Sequence, residues 1–397
     1  MYRYEITETA SKGVRRLEQL RERLDSQGPL PRMWAGRTRQ DLEAEAVAAS
    51  TIMEGVAVTV DEARRILAGD RPGGVTAEDA GLVDGYRDAM HFVLARADAP
   101  SFAWQSELLL AIHHLVLSGS YPAGAGRFRE IQNWLTNRGS GEQVYTPPPP
   151  DAVPGLVDGV MGWMNTSTDP GPIQAALVHV SVAGIHPFRD GNGRTARIVA
   201  SLAMYRSGFR SPFFTSLEQW WGRHVDDYYR AFDCLGPEWD ATADVTPFIE
   251  AHVSAQVRQV EALSLRNATE RALWTALENL VVGELGLNGR ATHAAYDALF
   301  AREVTNGYYR GMADVSAVTA SHDLGKLVAA GVLQARGAGR SARYVAMPAL
   351  FERVAGEAGG GPEWLAPSGE LREQRDRIVA GVARRLHVED QGPESGV

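Results

Sequence analysis

The stretch Ile185-His-Pro-Phe-Arg-Asp-Gly-Asn-Gly-Arg-Thr-Ala-Arg197 decides both the fold and the chemistry of this chain. Apolar residues recur at helical spacing before it, from Ile173 to Gly184, and within and after it, from Arg194 to Tyr205. Pro187 cannot continue a helix, and it favours an extended backbone at His186. The sequence therefore predicts two buried helices joined by a loop, with the loop leading into the N-terminus of the second helix.

The loop offers the donors that a polyphosphate needs. Gly191, Asn192 and Gly193 permit positive φ values, and successive backbone N–H groups ahead of a helix form a cradle for anions. Arg194 and Arg197 stand three residues apart, on one face of the first helical turn. Their guanidinium groups can donate paired hydrogen bonds to phosphate oxygens.

Two further side chains complete the chemistry. Asp190 suits Mg²⁺, which usually takes one or two carboxylates together with substrate phosphates and water. His186 is placed to take a proton from an attacking hydroxyl, a role worth roughly 10²–10⁴ in rate. A P-loop is excluded because the strand and the Gly-Lys-Ser/Thr ending are missing. The pattern indicates transfer of part of a nucleoside triphosphate.

Residues 186–197 resemble the Fic-domain signature, His-x-Phe-x-Asp/Glu-Gly-Asn-Gly-Arg-x-x-Arg, at every specified position. The resemblance implies a compact helical core that transfers AMP from ATP to a protein hydroxyl and releases pyrophosphate. It also implies His186 as the base and Asp190 as the Mg²⁺ ligand. The residues that it implies for the phosphates are Gly191, Asn192, Gly193, Arg194 and Arg197.

A second resemblance lies upstream, where Ala-rich, charge-poor sequence predicts a closely packed helix over about 41–55. This helix ends in Glu54, and Gly55 then permits a C-terminal cap. A carboxylate at a helix C-terminus is unfavourable with the dipole and calls for a cationic partner. Ser50-x-x-x-Glu54-Gly55 resembles the inhibitory motif of Fic proteins, which implies that Glu54 pairs with Arg197 and restrains the site. A plain surface glutamate is the alternative.

Two short apolar runs around Gly139-Ser-Gly141 predict a β-hairpin over 132–145. By resemblance this hairpin is the flap that aligns the target protein, whose hydroxyl-bearing segment would dock by strand addition. A purely structural hairpin is the alternative. Tyr228-Tyr229 resembles a family segment near the adenine, which implies that Tyr229 binds nucleotide. Gly236 stands where the family often has Asn, and a core role for the tyrosines stays open.

Beyond the core, Ser316–Ala330 predicts a helix, and a basic, Gly-rich hairpin follows it up to Met347. This arrangement resembles a winged helix. Residues 267–347 carry eight Lys or Arg against seven Asp or Glu, so overall charge gives little support to DNA binding. Contact of 316–347 with DNA or with protein is left open, as is a homodimer.

Composition limits the remaining classes. The 397 residues are 44% hydrophobic and 22% charged, as in globular proteins, and the net charge of −9 argues against nucleic-acid binding by the whole chain. One cysteine, Cys234, excludes an internal disulfide framework. No apolar run approaches the ~20 residues of a membrane helix. We expect a cytoplasmic protein that does not bind membranes.

The predicted fold is mainly α, with a helical Fic core, a small β-hairpin flap and a C-terminal winged helix-turn-helix. We expect an N-terminal helical region with the inhibitory helix over 1–100 and the catalytic core over 101–265. The winged-helix-like domain is expected over 266–350, and a linker with a helix and a disordered tail over 351–397. The leading interpretation is an autoinhibited protein adenylyltransferase that uses Mg-ATP on a Tyr, Thr or Ser hydroxyl. The alternatives are AMP removal or another nucleotide donor at the same site, and a DNA-binding regulator whose Fic core senses nucleotide.

Overall fold

The computed structural model describes residues 2–26, 32–56, 58–119, 124–136, 139–209, 218–299, 304–337, 339, 342–347, 350 and 354. The fold is mainly α, as predicted. The chain divides into two compact units, Met1–Val260 and Glu261–Val397. Apart from Val354, the predicted linker, helix and tail over 351–397 lie outside the described residues.

The first unit is built from helices around one apolar core. They are α1 (Glu8–Ser26), α2 (Arg32–Met53), α3 (Val60–Leu67), α4 (Ala77–Ala97), α5 (Ser106–Leu117), α6 (Val153–Thr166), α7 (Gly171–Ile185), α8 (Asn192–Arg206), α9 (Glu218–Arg223), α10 (Val225–Arg230) and the start of α11 (Thr246–Glu278). A 3₁₀ turn over Pro150–Ala152 precedes α6, and another over Ala231–Leu235 follows α10.

Helices α7 and α8 form the centre of this unit and pack against each other. Nearly every side chain of both helices is buried, including polar ones such as His179 and Thr195. Since α7 is apolar on all sides, it is stable only when neighbouring helices surround it. The loop between α7 and α8 is therefore held between two rigid, buried elements.

The predicted flap is a small antiparallel ribbon of β1 (Leu135–Thr136) and β2 (Gln143–Tyr145). Leu135 pairs with Tyr145, and the register shifts after that pair. Trp134 and Val144 are exposed on the ribbon, whereas Tyr145 is buried and donates a hydrogen bond to the carbonyl of Gly184, 2.9 Å away. The ribbon is thus anchored to α7 at one end.

Two helix predictions were wrong in extent. Helix α2 begins at Arg32, well before the predicted start near 41. Helix α11 runs without a break from Thr246 to Glu278, although a separate helical unit was expected to begin near Glu270. The sequence around 264–270 contains no Gly or Pro, so nothing in it stops the helix.

Among the described residues, the second unit combines the end of α11 and three further α-helices with a three-stranded antiparallel sheet. A π-helical turn over Asn279–Glu284 follows α11. The later elements are α12 (Arg290–Leu299), β3 (Val304–Thr305), α13 (Asn306–Ala313), α14 (Ala317–Ala329), β4 (Leu333–Arg336) and β5 (Arg343–Ala346). The strand order is β3-β5-β4, and Leu324, Leu327 and Tyr309 are buried among these elements.

No helix within the described ranges combines the length and the apolar character that crossing a membrane requires.

Candidate active site

The loop between α7 and α8 begins with a left-handed residue. His186 has φ 49° and ψ 58°, so the extended backbone predicted from Pro187 was wrong. This conformation caps α7, because it lets the N–H of His186 donate to the carbonyl of Val182, 3.0 Å away. The carbonyl of His186 accepts a bond of 2.9 Å from Nε of Arg129. Two hydrogen bonds therefore hold a backbone conformation that few non-glycine residues adopt.

The imidazole of His186 is oriented as a base. Its Nδ1 lies 3.3 Å from the carbonyl of Ala183, which can only accept, so Nδ1 carries the proton and donates. Nε2 then keeps its lone pair. Burial lowers the pKa of His186 to about 4, and the cation of Arg129 acts in the same direction. The ring is accordingly neutral near pH 7 and able to accept a proton.

The loop is closed by two side chains. Asn192 accepts from the N–H of Phe188 at 2.8 Å and donates to the carbonyl of Phe188 at 2.9 Å. The ring of Phe188 is fully buried and stacks on His113, with 3.6 Å between ring centroids. These bonds turn the side-chain amide of Asn192 towards the backbone of Phe188, while its backbone N–H is one of the donors at the N-terminus of α8.

The Gly191-Asn192-Gly193 turn differs from its prediction. Only Gly191 has a positive φ, 75°, and α8 begins at Asn192, so Asn192 and Gly193 belong to the first helical turn. The backbone N–H groups of this turn point out of the helix N-terminus, where they favour an anion.

Arg194 carries buried N–H groups that an anion could bind. Its side chain is 4% exposed, and its Nε and NH1 are buried without a hydrogen-bond partner among the described residues. Its NH2 lies 3.5 Å from a carboxylate oxygen of Asp190, which is itself 60% exposed. A buried guanidinium with unpaired N–H groups is costly, and a phosphate would satisfy it.

The guanidinium group of Arg197 is bound by other side chains of the protein. Its NH2 donates to Oε1 of Glu54 and to Oγ of Ser50, each at 2.9 Å. Its NH1 donates to the hydroxyl of Tyr228 at 3.3 Å. Burial alone would lower the pKa of Arg197, but the neighbouring Tyr228 and the carboxylates of Glu54 and Glu218 outweigh it and raise the pKa.

The carboxylate of Glu54 lies against the start of α8. A Cβ atom at Gly193 would come within 2.6 Å of Oε1 of Glu54 and 3.1 Å of NH1 of Arg197. Only glycine permits so close an approach. The carboxylate of Glu54 therefore lies at the α8 N-terminus, in the space between Gly193, Arg194 and Arg197 that we call the anion hollow.

The end of α2 reaches the hollow by close packing on α9. A Cβ at Gly222 would lie 2.8 Å from the Cβ of Ala49, so the two helices touch at this point. Tyr229 is 49% exposed, and its hydroxyl donates to the carbonyl of Met53 at 2.8 Å. Tyr229 thus contacts the end of α2, next to Glu54.

The sequence interpretation missed two residues of the site. Glu218 is fully buried, with Oε1 3.8 Å from Nε of Arg197. Arg129 is 4% exposed; it bonds the loop at His186 and also donates to the carbonyls of Ile131 and Pro148, which joins the loop to the base of the flap. Each is a charge inside an otherwise apolar or loop segment, and that is the signal that could have found them.

Comparison with known proteins identifies the fold. Residues 103–204 match the sequence model of the Fic/DOC family. The Nematostella vectensis protein adenylyltransferase Fic is 30% identical over 182 residues, or 45% of this chain and 38% of that protein. The Caenorhabditis elegans protein adenylyltransferase fic-1 is 35% identical over 123 residues, or 30% of this chain and 23% of that protein. The chain thus spans well under half the length of these two relatives.

Solved structures agree with the match. A crystal structure of a Fic family protein from Desulfovibrio desulfuricans superposes with a TM-score of 0.60 at 20% identity, covering 87% of this chain and 98% of that one. A Fic-domain protein from Bacteroides thetaiotaomicron gives 0.55 at 19% identity, covering 63% and 95%. At such identities the likeness concerns the fold alone. Residues 103–204 thus carry the sequence pattern of the Fic/DOC family, in a chain whose fold is similar to that of solved Fic-family proteins.

Proposed function

We propose that the chain is a protein adenylyltransferase, which transfers AMP from ATP to a hydroxyl of a target protein and releases pyrophosphate. The observation that carries the proposal is Arg194, whose buried Nε and NH1 have no hydrogen-bond partner among the described residues and lie at a helix N-terminus that already favours anions. His186 adds a neutral base on the same loop. Relatives named protein adenylyltransferase support the same reaction.

In this reaction the target hydroxyl attacks the α-phosphorus while Nε2 of His186 accepts its proton. Gly193, Arg194 and Arg197 bind the phosphates and neutralise their charge, which is the main contribution a protein makes to phosphoryl-type transfer. The flap over 132–145, with Trp134 exposed, presents the target segment. We place Tyr229 near the base of the nucleotide.

Mg²⁺ fits the same site. The described residues contain no group of three or more His, Cys, Asp or Glu side chains that could hold a metal ion, so a resident metal cage is not formed by them. Asp190 offers one exposed carboxylate next to the anion hollow. Asp190 would hold Mg²⁺ together with nucleotide phosphates and water, and the ion would supply neutralisation of phosphate charge.

Glu54 restrains this activity in cis. Its carboxylate uses the N–H groups of Arg197 that a phosphate would need, and Ser50 fixes the same guanidinium from the same helix. ATP bound beside Glu54 would be held with its α-phosphorus poorly aligned for attack. Withdrawal of Glu54 would free both Arg197 and the space at Gly193.

The test compares the native chain, Glu54→Gly and the double variant Glu54→Gly/His186→Ala, each incubated with Mg-ATP and a protein lysate. We expect AMP adducts by mass spectrometry with Glu54→Gly alone. Glu45→Ala removes another carboxylate of α2 and should leave the chain as inactive as before. Equal labelling by Glu54→Gly and the native chain would refute the restraint, and labelling by the double variant would refute the role of His186.

The same assay separates the alternative directions and donors. Loss of AMP from a target labelled beforehand would favour AMP removal, with Glu54 positioning a water. Labelling with another nucleoside triphosphate but not with ATP would show that the donor is a nucleotide other than ATP. A cytoplasmic location and a homodimer remain predictions of the sequence.

We also propose that the second unit contacts DNA, as a winged helix. Its order α12-β3-α13-α14-β4-β5 supports a helix-turn-helix followed by a two-stranded wing. The solvent face of α14 carries His322 and Lys326 without a carboxylate, because the acids Asp297 and Asp323 are buried. At the start of α14, Val318 is 80% exposed. An exposed apolar residue on such a helix suits a thymine methyl group in the major groove.

The DNA proposal is tested by titrating the full chain with a labelled random-sequence duplex at two salt concentrations. Binding that weakens steeply with salt and falls further in Lys326→Ala supports it. The absence of binding at low salt would favour a protein partner for 316–347. Arg340, in the predicted wing, lies outside the described residues.

A further inference from the structure

A buried chain of hydrogen bonds runs from helix α11 to the anion hollow. Nε2 of Gln256 is 2.9 Å from Nδ1 of His252, and Nε2 of His252 is 3.0 Å from Nδ1 of His179. Nε2 of His179 is in turn 3.3 Å from the hydroxyl of Tyr228. Both histidines are fully buried and Tyr228 is 4% exposed, so water does not compete for these bonds.

The donor-to-acceptor direction of this chain of hydrogen bonds is determined at Gln256. Nε2 of Gln256 also lies 3.2 Å from the carbonyl of Pro172, which can only accept, so this side of the amide must be its NH₂ group. Gln256 then donates to Nδ1 of His252, and His252 must carry its proton on Nε2. By the same step His179 accepts on Nδ1 and donates from Nε2.

Both rings can obey this order because neither is charged. Burial lowers the pKa of His252 to about 3, and burial lowers the pKa of His179 well below its usual value, helped by His252 and Arg197. The reversed order would require the oxygen of Gln256 to face the carbonyl of Pro172. Two acceptors would then meet in a buried place without a proton between them, which is costly.

This order of donors and acceptors determines the direction in which the hydroxyl of Tyr228 donates. Its oxygen accepts from Nε2 of His179 and from NH1 of Arg197, so both of its lone pairs are used. Its own O–H must therefore donate in a third direction. NH1 of Arg197, which bonds the hydroxyl at 3.3 Å, would lie 3.1 Å from a Cβ at Gly193, so the hydroxyl is one hydrogen bond away from the residues of the anion hollow. Burial raises the pKa of Tyr228 to about 12; Arg197 opposes this shift, and the negative charge of Glu54 acts in the same direction as burial.

We infer that Tyr228 is an additional anion-binding residue, whose O–H donates to a phosphate oxygen of the nucleoside triphosphate once Glu54 has left the hollow; this inference rests on the proposed function. In the restrained chain Tyr228 and Glu54 bind the same guanidinium group, that of Arg197. His179 is a positioning residue, because its N–H prevents the proton of Tyr228 from turning inward.

The test measures binding and not transfer. ATP and adenosine are titrated calorimetrically into Glu54→Gly and into Glu54→Gly/Tyr228→Phe. Loss of a hydrogen bond to a charged group predicts that ATP binds roughly tenfold or more weakly to the double variant. Adenosine, which has no phosphate, should bind equally to both. Tyr4→Phe removes a hydroxyl that donates to Asp169, away from the hollow, and should leave the ATP affinity unchanged.

A second measurement needs no variant. Nitrogen NMR of the native chain should find His179 and His252 both protonated on Nε2. Protonation of His179 on Nδ1, or equal ATP affinity with and without the Tyr228 hydroxyl, would overturn the inference. Failure of Glu54→Gly to transfer AMP would instead refute the proposed function, and the ATP-to-adenosine comparison would still report on Tyr228.

Discussion

Arg194 and Arg197 leave the same turn of α8 and are equally buried, yet their surroundings are opposite. Among the described residues, Nε and NH1 of Arg194 have no hydrogen-bond partner, whereas Arg197 lacks one at Nε alone and donates from NH1 and NH2 to Tyr228, Glu54 and Ser50. One arginine is ready for an anion from outside, and the other already holds an anion supplied by the chain. The contrast suggests that the site is assembled but that half of its phosphate-binding capacity is withheld.

The largest expected effect tests whether both arginines serve one reaction centre. In the Glu54→Gly background, His186→Ala should lower the rate of AMP transfer by roughly 10²–10⁴ because the attacking hydroxyl loses its base. The rate is measured with saturating Mg-ATP, and calorimetric ATP affinity serves as the control for an intact hollow. A transfer rate within twofold of that of Glu54→Gly would show that His186 does not act in the same reaction centre as the two arginines.

The second prediction compares the contributions of the two arginines to the free energy of unfolding. In the native chain, Arg197→Met should lower the free energy of unfolding by roughly 3–5 kcal/mol, because it leaves Glu54 and the buried Glu218 without their cation. Arg194→Met should change it little, since that side chain has few bonds to lose. Urea unfolding followed by tryptophan fluorescence measures both. Equal losses would contradict the contrast drawn above.

A third prediction uses pH and the histidines behind Arg197. Burial holds the pKa of His252 at about 3 and that of His179 well below 6.5, so the unfolded chain takes up protons below pH 6.5 while the folded chain does not. Stability is therefore complete above pH 6.5 and falls as the pH drops towards the folded pKa values. Each histidine contributes a slope of up to about 1.4 kcal/mol per pH unit.

This slope is measured as the free energy of unfolding between pH 6.5 and 5. His252→Gln should remove one histidine's share of it, about 2 kcal/mol over that interval. A stability that is level between pH 6.5 and 5 would show that these rings are not held neutral.

The smallest expected effect concerns the helix that brings Glu54. Ser50→Ala removes the bond of 2.9 Å from Arg197 and should weaken the restraint by roughly 1 kcal/mol, which raises basal AMP transfer by about fivefold. Thr51→Val is the matched control, because the hydroxyl of Thr51 bonds only to carbonyls of its own helix, those of Val47 and Ala48. If both variants raised transfer equally, the effect would come from helix stability and not from Arg197.

Much of the loop could be predicted, because its parts are close in sequence. The break at Pro187, the apolar anchor Phe188 and the basic first turn of α8 follow from short-range rules on helices, loops and anions. The backbone of His186 could not, since its left-handed conformation depends on Arg129 and on the cap of α7. A rule about the residue before proline states a preference, and tertiary hydrogen bonds overrode it.

The sequence by itself determined the buried helices α7 and α8 and the loop between them, because these depend on spacing over a few residues. Only the tertiary structure decided which charges meet in the hollow. Glu54 and Arg197 are 143 positions apart, and they meet because α2 packs closely on α9. Glu218 and the chain from Gln256 to Tyr228 likewise come from separate helices, and contact between separate helices is decided by how the core packs and not by local spacing.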